Sequence, residues 1–202
     1  MADTSMAVIL GFPKGQPSGA ALVVPGLHVR PARTTDLPFL RHLYRVGRER
    51  ELDALNWPET VRRDFCRAQF EAQHLDYTSR YPGAWFLVLE QRREPAGRLY
   101  IDLTGPSLHL IDIALLPAFQ GRGIGTGILR ALQDRAQEEE KPLSLHVQRG
   151  NDGAAALYRR LGFTLAATGA THDHFTWTAG QSKGRPEPPA VNDLDGIIAG
   201  LP

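Results

Sequence analysis

The chain has 202 residues, 42% hydrophobic and 22% charged, and a formal net charge of +1. That length suits one packed domain, and the absence of a basic run speaks against a nucleic-acid partner. One cysteine, Cys66, excludes an internal disulfide and a cysteine-built zinc site. The opening "MADTSMAVILGFPKG" lacks the basic start and long apolar run of a secretory signal, and no window reaches membrane-span length. The expectation is a cytoplasmic protein with no membrane partner.

Residues 1–25, rich in Gly, Pro and Ala, read as a flexible arm with a short strand at "ALVV". "LHVRPAR" alternates and reads as a strand. Thr35 or Asp36 then caps a helix whose apolar positions are Leu37, Leu40, Leu43, Tyr44 and Gly47. After "NWPET", Val61, Phe65, Ala68, Ala72 and Leu75 form the apolar stripe expected for a second helix, closed by "YPG". The period then changes to that of strands. "AWFLVLEQ", "RLYIDLT" and "LHLIDIALL" read as an antiparallel meander, with turns at "RREPAG" and "GPS". A glycine-rich loop and helix follow, then the strand "PLSLHVQ". "NDGAAALYRRLGF" is a short helix with Asn151 or Asp152 at its start and Gly162 beyond its end. "HFTWTA" is the last expected strand, and residues 180–202 have the composition of a tail. The order β-α-α-β-β-β-α-β-α-β describes one mixed α/β domain over residues 26–179.

In "QGRGIGTGILRAL" four glycines fill seven positions directly before a helical pattern. Such a loop is either a tight connector or a cradle that a ligand approaches closely. The phosphate-loop pattern GxxxxGK[ST] is absent. GxGxxG also fails, since its last position falls on Thr126 or Ile128. What fits is Gln-x-x-Gly-x-Gly at Gln120, Gly123 and Gly125. Free N–H groups and the positive end of a helix dipole at that place suit a pyrophosphate.

Together, "IALLPAFQGRGIGTGILRAL" and "NDGAAALYRRLGF" resemble two signatures of the GNAT superfamily of acetyl-CoA-dependent N-acetyltransferases. The second carries Asn151, Ala154 or Ala155, Tyr158, Gly162 and Phe163 at the family's spacing. The resemblance implies a central, mostly antiparallel twisted sheet with helices on both faces and strands splayed at the acetyl-CoA site. It also implies that backbone groups of Ile113, Ala114 and Leu115 receive the pantetheine arm. Gln120, Gly121, Arg122, Gly123, Ile124, Gly125 and Thr126 would cradle the pyrophosphate. Asn151 would bond the cofactor and Tyr158 would lie near the thioester sulfur. Seven residues separate Asn151 from Tyr158, about two helical turns, so both share a face.

The implied reaction passes an acetyl group from a thioester to an amine, directly within a ternary complex. The amine must lose a proton, and a Tyr hydroxyl can protonate the departing thiolate. Many family members carry a basic Glu on the strand before the glycine loop, and this chain has none there. His109 and Asp112 are the candidates, with Ser107 at the strand's start. Alternation puts His109, Ile111, Ile113 and Leu115 on one face and Leu110, Asp112 and Ala114 on the other. His109 is the candidate base, with a water chain as the alternative. Asp112 reads as the partner of a backbone group or a cation.

Gln69, Gln73 and Tyr77 form a polar stripe on the second helix. It is either solvated or a wall of the acceptor site, with Gln73 and Tyr77 as acceptor-binding candidates. His172 and His174 share a strand face but are too few for a closed zinc site, and no metal is expected. Cys66 reads as a small buried residue. The expected function is N-acetylation of a primary amine, on a small molecule in preference to a protein. The rival is a catalytically weak, CoA-binding regulatory or interaction module. A homodimer is compatible with either.

Overall fold

The computed structural model describes residues 10–16 and 22–180. Parts of the expected arm, residues 1–9 and 17–21, and the tail residues 181–202 lie outside the described residues. Among the described residues seven strands form one sheet in the order β1-β2-β3-β4-β5-β7-β6. They are β1 (His28–Pro31), β2 (Trp85–Gln91), β3 (Glu94–Asp102), β4 (Leu108–Leu115), β5 (Leu143–Gln148), β6 (Thr164–Thr168) and β7 (His172–Trp177). Neighbours are antiparallel except β4 and β5. Helices α1 (Leu37–Asp53) and α2 (Glu59–Arg80) cover one face, and α3 (Ile124–Glu138) and α4 (Asp152–Arg160) cover the other.

The strands supply both cores by alternation. Leu87, Leu89, Leu99, Ile101, Leu108 and Leu110 pack with Ile128, Leu129 and Leu132 of α3 and Leu157 of α4. On the other face Phe86, Val88 and Tyr100 meet Tyr77 of α2 and Phe39 of α1. Leu37, Leu40, Leu43 and Tyr44 turn inward from α1 as their spacing requires. Before that helix a 3₁₀ turn spans Thr34–Asp36, and the Asp36 carboxylate accepts from the Arg33 N–H at 2.7 Å.

Several expectations are corrected. Strand β6 was not anticipated: "TLAAT" is exposed throughout and pairs only with β7, so it shows no half-buried alternation. The turn expected over "RREPAG" is tighter, with Arg92 and Arg93 at φ 52° and 69° and β3 already running from Glu94. Leu22 to Val24 carry no strand; Leu22 and Val24 instead enter the α3 core. Residues 10–16 lie packed against the fold. Gln16 bonds the Ala84 carbonyl and the Phe86 N–H, and Gly11 O lies 2.8 Å from His74 Nε2.

The largest correction concerns α2. Val61, Ala68, Ala72 and Leu75 face outward; Val61 is 47% exposed. The buried face carries Cys66, Phe70, Gln73 and His74. This second stripe has equally helical spacing and offers aromatic rings, which bury more apolar surface than two alanines. Phe70 packs against the rings of Tyr44 and His74. The polar members are tolerated inside because they find partners: Gln73 with Arg98, His74 with Gly11.

Candidate active site

Strands β4 and β5 pair over three residues only, Leu108–Leu110 with Leu143–Leu145. Beyond them β4 stays on β3 as far as Leu115, while β5 stays on β7 as far as Gln148. A wedge therefore opens between two parallel strands. Leu116 N–H donates to Ala96 O at 2.9 Å. Ladder alternation then turns the backbone groups of Ile113 and Leu115 toward the wedge and those of Ala114 toward β3.

At the wide end of the wedge the chain passes a 3₁₀ turn, Pro117–Phe119, and enters α3. Gly123 precedes the helix with φ 73°, ψ 3°, and Gly121 has φ 68°. Both conformations are left-handed, which explains the glycines in backbone terms. Added Cβ atoms at Gly121, Gly123 or Gly125 would meet no heavy atom within 4 Å. The turn is therefore open on its outer side. The first-turn N–H groups of Ile124, Gly125 and Thr126 have no carbonyl one turn back to bond. Open space lined by such donors is what a pyrophosphate fits. Gln120 holds this turn to the strand, donating from Nε2 to Leu115 O at 2.8 Å. The guanidinium of Arg122 lies over the Phe119 ring at 5.9 Å.

Asn151 caps α4: its side-chain oxygen accepts from the Ala154 N–H at 3.1 Å. Tyr158, two turns on, is 2% exposed, and its ring packs on Phe163 and Phe175. Burial pushes the hydroxyl pKa well above its ordinary value near 10, and the negative charge of Asp112 adds to the rise. Tyr158 thus holds its proton at neutral pH.

Across the sheet, between α2 and strands β4, β5 and β7, lies a cavity of about 640 Å³. Gln69, Gln73 and Tyr77 line it, so the polar stripe of α2 faces this space, with Tyr81, His109 and Ile111 beside it. One expectation about β4 fails here. Tyr100 pairs with Asp112 and Ile101 with Leu110, so Ile111 is a bulge residue. One extra residue reverses the alternation beyond it. His109 and Asp112 consequently share the α2 face, while Ile113 joins the core on the other.

Asp112 holds a cation. Arg98 donates to it from Nε at 3.2 Å and from Nη2 at 2.7 Å, and Nη2 also reaches Gln73 Oε1 at 2.9 Å. Both side chains are buried, at 3% and 0% exposure. Desolvation opposes the charge on each, but the carboxylate 2.7 Å away keeps Arg98 protonated. The Tyr77 hydroxyl lies 3.5 Å from the same carboxylate, and its pKa is pushed up by burial and by that charge. The pair thus anchors both acceptor-wall candidates, Gln73 and Tyr77.

His109 Nδ1 lies 3.0 Å from Ser144 Oγ. Ser144 donates its own proton to Leu108 O at 3.3 Å. While the Ser144 proton is on Leu108 O, Nδ1 is the protonated nitrogen and Nε2 keeps its lone pair; when Ser144 donates to Nδ1 instead, Nε2 carries the proton. Desolvation, with smaller contributions from His146 and His174, lowers the His109 pKa to about 4. His109 is therefore neutral at pH 7.

Sequence reasoning did not single out Arg98, Tyr81, Arg80 or His146. For His146 the signal was present: in "PLSLHVQ" it alternates with Leu145 and Val147, opposite the core. Arg98 gave no signal, because nothing local tells a buried arginine from a surface one. Among the described residues no group of three or more His, Cys, Asp or Glu is arranged to hold a metal ion. Among the same residues no helix is long and apolar enough to cross a membrane.

Residues 48–163 match the Acetyltransferase (GNAT) family, and the chain belongs to it. Over 88 residues it is 39% identical to the GCN5-like protein acetyltransferase Rv2170 of Mycobacterium tuberculosis, covering 41% of this chain and 43% of that protein. Over 51 residues it is 49% identical to the N-alpha-acetyltransferase RimI of the same organism, covering 25% and 31%. The chain spans less than half the length of these curated relatives. The PaiA N-acetyltransferase of Thermoplasma acidophilum, solved with coenzyme A, superposes with TM-score 0.58 at 16% identity, over 75% of this chain and 98% of that one. An acetyltransferase from Thermus thermophilus gives 0.57 at 21%, over 77% and 98%. At these identities the likeness is one of fold.

Proposed function

We propose that this chain transfers an acetyl group from acetyl-CoA to a primary amine by direct attack in a ternary complex. One observation carries the reading. The wedge between β4 and β5 has the open glycine turn at one end and the acceptor cavity at the other. Bound there, acetyl-CoA supplies an activated acetyl thioester. The first-turn N–H groups of α3 hold its pyrophosphate, and the backbone of Ile113 and Leu115 orients the pantetheine arm. Arg122, at the mouth of the turn, adds positive charge. Asn151 fixes the start of α4 and, through it, the position of Tyr158.

The cavity receives the amine against Gln73, Tyr77 and His109. A base with a pKa of about 4 cannot retain the proton of an amine near neutrality. In its Nδ1-protonated form His109 orients the neutral amine through the Nε2 lone pair, and the proton leaves through water. Tyr158, still protonated, donates to the sulfur as the thiolate departs. Cys66 takes no part: it is buried between α1 and α2 with its pKa raised by desolvation, which suits an inert thiol.

The curated relatives are named for protein acceptors, so peptide amino termini belong in the test beside small amines. Release of free thiol from acetyl-CoA is followed with both sets. Turnover with any amine supports the reading. Coenzyme A binding by calorimetry without turnover on either set favours a binding module, and absence of binding removes the reading altogether.

A further inference from the structure

The charged side chains lining the acceptor cavity balance, one carboxylate against one guanidinium, and imidazoles supply the rest of its basic groups. Its one carboxylate among the described residues is Asp76, ion-paired at 3.2 Å with Arg80, one turn further along α2. Facing them are imidazoles from three strands: His109 on β4, His146 on β5 and His172 on β7. His174 extends the row, its ring stacked on His146 at 4.8 Å, and the His146 ring lies 5.2 Å from that of His109. Of the nearby acids, Asp112 and Asp102 are engaged elsewhere, and Asp173, its Oδ1 buried without a hydrogen-bond partner, points away. Asp112 lies beneath the floor against Arg98. Asp102, at the end of β3, accepts from the Thr104 N–H and hydroxyl. Asp173 alternates to the opposite face between His172 and His174. The phenols of Tyr77 and Tyr81 complete the titratable lining.

Resting on the acetyl-transfer reading, we propose that the acceptor amine also carries a carboxylate, held by Arg80 together with the imidazoles of His146 and His172. Arg80 meets Asp76 through Nη2 at 3.2 Å, and 65% of its side chain is exposed. The rest of its planar fork can meet an incoming carboxylate. The imidazoles penalise each other's protonation: burial first, then His174 and His172, lower the His146 pKa. An anion placed among them offsets that repulsion, so its binding is coupled to proton uptake. The polarity of the site follows. The amine goes inward to His109, at the narrow end of the wedge, and the acid stays at the rim with exposed His146. A polycationic amine finds no uncommitted carboxylate among the described residues of this cavity.

The test uses the full chain and three matched peptide amides, Ala-Glu-Ala, Ala-Gln-Ala and Ala-Lys-Ala, with β-alanine and its amide as a small-molecule pair. The Glu/Gln ratio of kcat/KM cancels the ionisation of the attacking amine, which the two peptides share. That ratio should be about tenfold, the effect of one partly exposed charge-assisted contact. It should rise as pH falls from about 7.5 to about 6, and fall toward one in Arg80→Gln and in His146→Gln. Preference for β-alanine over its amide would place the acid on a small molecule, and preference within the peptides alone would place it on a chain terminus. Binding of the same peptides to the coenzyme A-loaded and free protein is measured in parallel. This separates failure of the subsite from failure of acetyl transfer. Lys or Gln peptides bound or acetylated as well as Glu would overturn the proposal, as would a ratio unmoved by both substitutions.

Discussion

Acidification should destabilise this protein through its desolvated histidines, and through His109 measurably. His109 carries a pKa of about 4 in the fold against an ordinary 6.5. Between those values the unfolded chain holds a proton that the folded chain refuses, so stability falls as pH drops through that window. With the two values taken at face value, the loss at pH 5 relative to pH 7 is about 2 kcal/mol, approaching about 3 kcal/mol near pH 4. The comparison is between the parent and His109→Gln, whose amide can still reach Ser144. Urea unfolding of both at pH 7 and pH 5 gives the contribution of His109 together with its coupling to His146, because His74 lies outside the row and titrates alike in the two proteins. The parent should lose about 2 kcal/mol more than the variant over that interval. Equal losses would mean that His109 is hydrated and titrates normally, and the argument for a neutral, desolvated imidazole would collapse.

Tyr158→Phe should lower kcat by about 10²–10⁴-fold while calorimetry shows nearly constant coenzyme A affinity; a parental rate would make the residue structural. Gly125→Val is a cleaner probe of the glycine turn than any change at Gly123, because Gly125 lies inside α3 with open space beside it and no positive φ. Coenzyme A affinity should fall at least about tenfold with melting temperature maintained; unchanged affinity would place the pyrophosphate elsewhere. Arg98→Met leaves Asp112 buried and uncompensated, which should cost about 3–5 kcal/mol in chemical denaturation. Arg98→Met with Asp112→Leu should recover most of that loss, and the double variant should show a raised acceptor KM with the acetyl-CoA KM unchanged. An unaltered acceptor KM would show that the pair does not position Gln73 and Tyr77.

The parts of the fold legible in sequence were those where local pattern and burial coincide. The strands around "LHLIDIALL" alternate, and the glycine turn and the α4 cap carry residue types with few other uses. The face of α2 was misread because two stripes of equal helical spacing compete there, and the choice depends on what waits opposite. Gln73 and Tyr77 point inward only because Arg98 and Asp112 are already beneath them. Those two meet across β3 and β4 only because Ile111 bulges. No property of residues 98–112 taken alone announces a bulge, so the shared face of His109 and Asp112 was out of reach. The histidine row is similar: each imidazole is visible on its strand, but their adjacency depends on β7 inserting between β5 and β6.

Three rungs join β4 to β5, and among the described residues they alone stitch β1 through β4 to β5 through β7 by direct strand pairing. Mechanically the sheet is two plates sharing a short seam, with α3 as a strap that touches both. Whatever fills the notch beside that seam completes a load path the backbone leaves unfinished. An occupant there would act as a strut, and stiffness along the seam should track occupancy. Hydrogen exchange at the amides of Ile113 and Leu115 would report it, slowing when coenzyme A bridges the plates and recovering when it leaves.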